Sequence, residues 1–270
     1  MDYNILFPTF EFKEGIPRKI NQIYIVQEGK NEDLPDIILD NISFLKRNNP
    51  QWEYKLYYKK DVENYIKKYY GDVIYQYYEK INPEYGAAKA DFFRYLLLYK
   101  EGGIYIDLKC KFNKPLNSIL YPNDTYILSH WDNETGEKHE GWGHFKELKH
   151  IKKGEYIMGF IISSKGHPFL RKIILQVLKN IDSYNPFFDG VGKMGVLRTT
   201  GPIVYSSVIE REIKNKSANY RLVHYIKDLY LNINIFESKG MFYHKQMLSS
   251  NFNNLITPVI LNVNFTKFHF

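Results

Sequence analysis

One segment constrains the fold more than any other: AAKADFFRYLLLYKEGGIYIDLKCK, residues 87–111. Asn82-Pro83 opens a helix that runs to Lys100, Gly102-Gly103 ends it, and residues 104–108 follow as an apolar strand closing on Asp107. Upstream, residues 19–26 alternate polar and apolar side chains as a strand, and residues 34–47 carry helical spacing that Asn48-Asn49-Pro50 stops. Residues 52–58 read as a second strand, and residues 61–70 and 72–80 as two short helices split at Gly71. Strand, helix, strand, helices, strand is the alternation that builds a parallel α/β sheet, whose ligands bind beyond the carboxyl ends of the strands. Functional groups are therefore expected just after Ile25 and near Asp107.

Further on, residues 125–129 and 157–163 are strand candidates, separated by a polar, glycine-containing stretch. Residues 168–181 and 202–214 read as helices, and short strands and turns follow from Tyr220. With 270 residues, no internal repeat and no linker, one domain is the simplest partition, with a more variable C-terminal half. Apolar runs fall well short of the roughly 20 residues of a membrane span. Met1-Asp2 puts an acid where a secretion signal carries a base, and Cys110 is the single cysteine; both point to a reducing, cytoplasmic setting. The net charge of +7 favours anionic ligands, but the bases are dispersed rather than striped, which argues against nucleic acid.

Asp91 and Arg94 lie three apart, on one helical face, among Ala87, Ala88, Phe92, Phe93 and Leu96 to Leu98. Two charges in so apolar a helix need partners. They either satisfy each other as a structural pair or reach a polar ligand at the sheet edge. Asp107 ends its strand where such a ligand would sit, and its carboxylate suits a divalent cation or sugar hydroxyls; aspartate also ends strands simply because it favours turns.

Taken together these blocks resemble the DXD-type sugar transferases of glycosyltransferase family 32. Residues 16–25, IPRKINQIYI, look like the family's opening block, and Asn49-Pro50-Gln51-Trp52-Glu53-Tyr54 its second. Ala90-Asp91-Phe92-Phe93-Arg94-Tyr95 with Gly102-Gly103-Ile104-Tyr105-Ile106-Asp107 resembles the sugar-binding core, while Gly166-His167-Pro168 and Thr200-Gly201-Pro202 resemble two later blocks. The resemblance covers residues 16–205 and implies a GT-A-like, Rossmann-type mixed sheet flanked by helices in a single domain. Residues 16–130 would form the nucleotide-sugar part and residues 131–270 the acceptor side. It further implies transfer, with retained anomeric configuration, of a hexose or N-acetylhexosamine from a UDP- or GDP-linked donor to a glycan or protein acceptor.

By position, the resemblance implies that Ile23, Tyr24 and Ile25 border the base, that Asp91 and Arg94 hold the donor sugar, and that Asp107 is the first acid of the motif, near ribose, sugar and metal. The third motif position is Lys109, so Asp107-Leu108-Lys109 replaces Asp-x-Asp. Three readings stay open: Asp107 binds Mn²⁺ or Mg²⁺ largely through waters, Lys109 itself supplies the positive charge beside the diphosphate, or the protein is a silent binder of sugar nucleotide or glycan. Arg198, before Thr200-Gly201-Pro202, is a phosphate candidate or a surface group, and His244 falls where the family closes over the diphosphate. The four histidines between His130 and His150 match no zinc spacing. Trp131 and Trp142 form either an acceptor-facing aromatic wall or a local core.

Overall fold

A computed structural model describes residues 2–26, 33–237 and 252–261. After a short helix α1 (Tyr3–Leu6) come β1 (Lys19–Tyr24), α2 (Asp36–Asn48), β2 (Glu53–Tyr58), α3 (Lys59–Lys80), α4 (Gly86–Glu101) and β3 (Gly103–Ile106). Then follow β4 (Lys111–Phe112), β5 (Tyr126–Leu128), β6 (Phe160–Ser163), α5 (Pro168–Ser183), α6 (Pro186–Asp189), α7 (Gly192–Thr199), α8 (Pro202–Lys214), β7 (Arg221–Leu222) and β8 (Leu231–Asn232). The expected elements are present with boundary shifts of a few residues. The two helices expected on either side of Gly71 are both present within the span of α3, broken at Gly71, whose φ 75° and ψ 178° are not helical. Helix α7 gave no sequence signal because Gly192 and Gly195 interrupt its pattern; a side chain at Gly195 would meet the Gly190 carbonyl oxygen at 2.6 Å.

Six strands form one sheet in the order β2-β1-β3-β6-β5-β7. Strand β1 runs parallel to β2 and β3, and β5 parallel to β7, but β6 is antiparallel to both β3 and β5. The sheet is therefore mixed, as the family resemblance implies, rather than wholly parallel, as the strand-helix alternation alone suggested. The reversal has a consequence for the site. Because β5 and β3 point the same way, β5 ends at the sheet edge where β3 ends, and β6 starts there with Phe160 opposite Ile106. The connection from residue 129 to 159 consequently stands over the edge that carries Asp107.

The sheet separates two apolar layers. Tyr105 and Ile161 face α3, α4, α5 and α8, where Phe92, Phe93, Leu96 to Leu98, Ile173 and Leu178 are buried. Ile104, Ile106, Phe160 and Ile162 face the other way, onto Phe112, Leu116, Tyr225 and Leu231. Cys110 belongs to this second layer as a small buried residue. At the α4–β3 turn, Gly103 adopts φ 94°, and a Cβ there would lie 2.7 Å from the Lys19 carbonyl oxygen, so only glycine lets β3 dock this closely on β1. No helix among the described residues is long and apolar enough to cross a membrane.

Candidate active site

The parallel pairing of β1 and β3 brings their carboxyl ends together. The side-chain amide of Gln22 donates to the Asp107 carbonyl oxygen at 3.4 Å, and the Asp107 N–H donates to the Gly159 carbonyl oxygen at 2.8 Å. Asp107 is thus held between β1 and the end of the 129–159 connection. The cavity above it has a volume of roughly 690 Å³ and takes in Ile23, Tyr24 and Ile25, Arg94, Tyr105, Asp107 and Lys109.

Arg94 is the hub. Its Nη2 lies 3.1 Å from Asp91 Oδ1, and its Nη1 lies 3.6 Å from Asp107 Oδ1 and donates to the Met158 carbonyl oxygen at 2.9 Å. The guanidinium also stacks 4.1 Å from the centre of the Tyr105 ring, and the Tyr105 hydroxyl donates to Asp107 Oδ1 at 2.5 Å. Burial opposes the charge on Arg94, but Tyr105, Asp91 and Asp107 around it raise its pKa, so it stays a cation. Tyr105 was not anticipated. Its signal was its position two residues before Asp107, on the same face of the strand.

Asp91 sits behind this cation rather than on the cavity wall. It is buried, its Oδ2 accepts from the Thr200 hydroxyl at 3.1 Å, and burial pushes its pKa upward against the pull of Arg94 and Thr200. The expectation that both members of the pair hold the sugar is corrected accordingly: Arg94 lines the cavity, and Asp91 orients Arg94. Arg198 also moves out of the site. Its guanidinium grips Glu147 at 2.7 Å and the Asp189 carbonyl oxygen at 3.2 Å, and it does not line the cavity. Held by these partners away from the cavity lining, Arg198 serves the framework. His244 lies outside the described residues.

Lys109 is half-buried on the cavity wall, and among the described residues no carboxylate lies within 4.0 Å of its ammonium group. A second cavity, also of about 690 Å³, shares Lys109, Trp131 and Trp142 with the first. The indoles of Trp131 and Trp142 meet edge to face, 5.2 Å apart. They are both the local core of the 129–159 connection and a wall of the two cavities.

A resident divalent ion fits this donor set poorly. No group of three His, Cys, Asp or Glu side chains that could hold a metal occurs among the described residues, and Oδ1 of the one motif acid is already engaged by Tyr105 and Arg94. Lys109 occupies the position of the second acid, replacing an oxygen donor with a charge of the ion's own sign.

A strand-end carboxylate, a buried arginine and a cleft between sheet edge and connecting loop define an α/β domain with a ligand site at the carboxyl ends of its strands. Comparison with known proteins narrows the class. Residues 35–126 match the glycosyltransferase sugar-binding region containing a DXD motif. The chain is 27% identical over 196 residues to inositol phosphoceramide mannosyltransferase 3 of Schizosaccharomyces pombe, covering 72% of this chain and 45% of that protein. It is 27% identical over 159 residues to the initiation-specific alpha-1,6-mannosyltransferase of Candida albicans, covering 52% and 39%. The chain thus spans less than half the length of these relatives. A solved structure titled PaToxG glycosyltransferase shares the fold at a TM-score of 0.50 and 18% identity, over 92% of this chain and 82% of that one. In its sugar-binding region the chain is similar to the DXD-type glycosyltransferases of the family-32 kind, and its fold is GT-A-like, with a variant motif.

Proposed function

We propose that this protein transfers a hexose from a nucleotide diphosphate sugar, UDP- or GDP-linked, to a hydroxyl of a glycan or protein acceptor, with retention at the anomeric carbon. The observation that carries this reading is the convergence of Asp107, Arg94 and Lys109, which has no ion-pair partner among the described residues, on one cavity that opens beside the end of β1. Ile23, Tyr24 and Ile25 supply the border for the base. Arg94 and Asp107 face the sugar, one donating and one accepting hydrogen bonds. Lys109 faces the diphosphate.

The chemistry follows from where charge develops. As the bond from the anomeric carbon to the diphosphate oxygen breaks, the sugar gains positive and the departing phosphate negative charge. The acceptor oxygen forms its bond on the same face, and its proton passes to the leaving phosphate. Asp107 favours the cationic sugar and Lys109 the anionic leaving group, both more strongly in the transition state than in the ground state. The mannosyltransferase relatives make a nucleotide-linked mannose the first donor sugar to try.

The test is a thermal-shift screen of UDP- and GDP-sugars, each with Mn²⁺ and with chelator, followed by turnover of the best donor. One donor should raise Tm through mass action, with a shift that survives chelation, and Asp107→Asn should lower turnover by about 100-fold or more. If no nucleotide sugar stabilises the chain, the reading fails. Stabilisation without turnover would identify a silent binder, and stabilisation only with Mn²⁺ would return the diphosphate to a metal ion.

A further inference from the structure

Glu155, which no sequence pattern flagged, lies just before β6 and lines the same cavity as Asp107 and Lys109. It is only 8% exposed. Its Oε1 accepts a hydrogen bond from the Trp131 indole N–H at 2.6 Å, whereas its buried Oε2 has no hydrogen-bond partner among the described residues. A buried carboxylate oxygen without a partner is costly, and native structures keep one where a ligand or water completes it.

The surroundings are built around this side chain. The Glu155 N–H donates to the Gly143 carbonyl oxygen at 3.0 Å, and the Glu155 carbonyl oxygen meets Nδ1 of His130 at 3.1 Å. Gly143 takes φ 76°, and a Cβ there would lie 2.7 Å from Glu155 Cγ, so glycine is what lets the loop close over the carboxylate. Trp142 follows Gly141 on that loop and stands against Trp131, whose indole N–H holds Oε1, so the carboxylate and both indole rings line the same cavity. Aromatic wall plus lone acceptor oxygen matches the two surfaces of a pyranose: a C–H face that lies on a flat ring and a hydroxyl that donates from its edge.

We propose that Glu155 is the acceptor-recognising residue, its Oε2 accepting a hydrogen bond from a hydroxyl of a saccharide laid against the Trp131–Trp142 wall. The acceptor is then a glycan rather than a protein hydroxyl. The site belongs to the acceptor rather than the donor because Trp131 and Trp142 line the second cavity as well as the first. The assignment of that sugar as acceptor rests on the transferase reading; the saccharide site itself does not.

The experiment titrates the full chain, without nucleotide, with methyl α-D-mannopyranoside, methyl β-D-glucopyranoside and methyl N-acetyl-β-D-glucosaminide, followed by tryptophan fluorescence and saturation-transfer NMR. At least one hexoside should bind saturably, and saturating GDP or UDP should leave it bound. Glu155→Gln keeps an oxygen for the Trp131 indole but replaces the free acceptor with an N–H donor, and should weaken hexoside binding about tenfold or more. Trp142→Ala, which leaves Glu155 untouched, should weaken it too. The proposal is overturned if no hexoside binds, if the Gln variant binds as the wild type does, or if the nucleotide alone expels the hexoside. Hexoside binding that depends on Glu155 in a chain that binds no nucleotide sugar would sink the donor reading while leaving the saccharide site standing.

Discussion

The cavity has two walls built by different means. On the donor side, β1, β3 and α4 hold Ile23 to Ile25, Arg94 and Asp107 through continuous backbone ladders and a helix buried on nearly every face. On the acceptor side, the connection between β5 and β6 contains no α-helix and no strand longer than an isolated bridge from His130 to Tyr156. Its shape comes from side chains that replace a ladder. Asn133 donates to the Trp142 carbonyl oxygen at 2.6 Å and to that of Lys153 at 3.0 Å, and Trp131 donates to Glu155. The proposed reading puts the chemistry that needs fixed geometry on the rigid wall, and recognition on the wall that sequence change can reshape at low cost to the fold.

The sharpest way to break the contrast is Arg94→Met. It removes the cation between Asp91 and Asp107 and leaves Asp91 buried without its counter-charge, so stability should fall by about 3–5 kcal/mol in urea denaturation. A loss below about 1 kcal/mol would mean that the donor wall does not depend on this pair. Helix α4 would then be held by its apolar faces alone.

The same contrast governs what could be read from sequence. On the donor side, the helical stop at Gly102-Gly103, the strand ending in Asp107 and the spacing of Asp91 and Arg94 are periodic signals, and the family resemblance rests on them. What spacing did not tell is which of the charged pair faces the cavity; that is decided by Thr200, more than a hundred residues away, which takes one Asp91 oxygen. On the acceptor side, Trp131 and Trp142 could be suspected as a wall from residue type. Glu155 could not, because its role depends on a glycine twelve residues earlier and on an indole across the loop. Arg198 shows the converse: a cation near a family block looked available for phosphate, and Glu147, far off in sequence, had already claimed it.

Glu155 gives the acceptor wall a pH signature. Burial pushes its pKa up from 4.5 to about 7, with the Trp131 hydrogen bond and Lys193 pulling the other way. The folded state therefore holds this proton more tightly than the unfolded chain, and the contribution to stability falls as pH rises from the unfolded value near 4.5 to about 7, then levels off. Glu155→Gln removes the titration. The variant should gain about 2–3 kcal/mol relative to wild type between pH 4.5 and pH 8, measured by thermal denaturation at both. An equal difference between variant and wild type at the two pH values would show that the carboxyl titrates normally.

Asn133→Ala separates the two walls. Two loop carbonyls lose their donor, and the cost should be about 1–2 kcal/mol. Nucleotide binding should stay within twofold of wild type while hexoside binding weakens several-fold. Equal losses on both would show the walls to be one cooperative unit.

Lys109 is the smallest effect on stability and the most informative about mechanism. It is half-buried at the rim and, among the described residues, has no carboxylate within 4.0 Å, so Lys109→Gln should change Tm by less than about 1 °C. If Lys109 faces the diphosphate as proposed, its charge acts through that diphosphate. The Gln variant should therefore lose turnover far more than it loses folding, about tenfold or more in kcat/KM, and Lys109→Arg should restore part of it because charge matters there more than shape. Lys109→Asp would rebuild the two-acid motif, and the expected outcome is a dependence on Mn²⁺ stronger than that of the wild type. Should wild type and Asp variant respond to Mn²⁺ alike, the lysine is a bystander and Asp107 works with an ion after all.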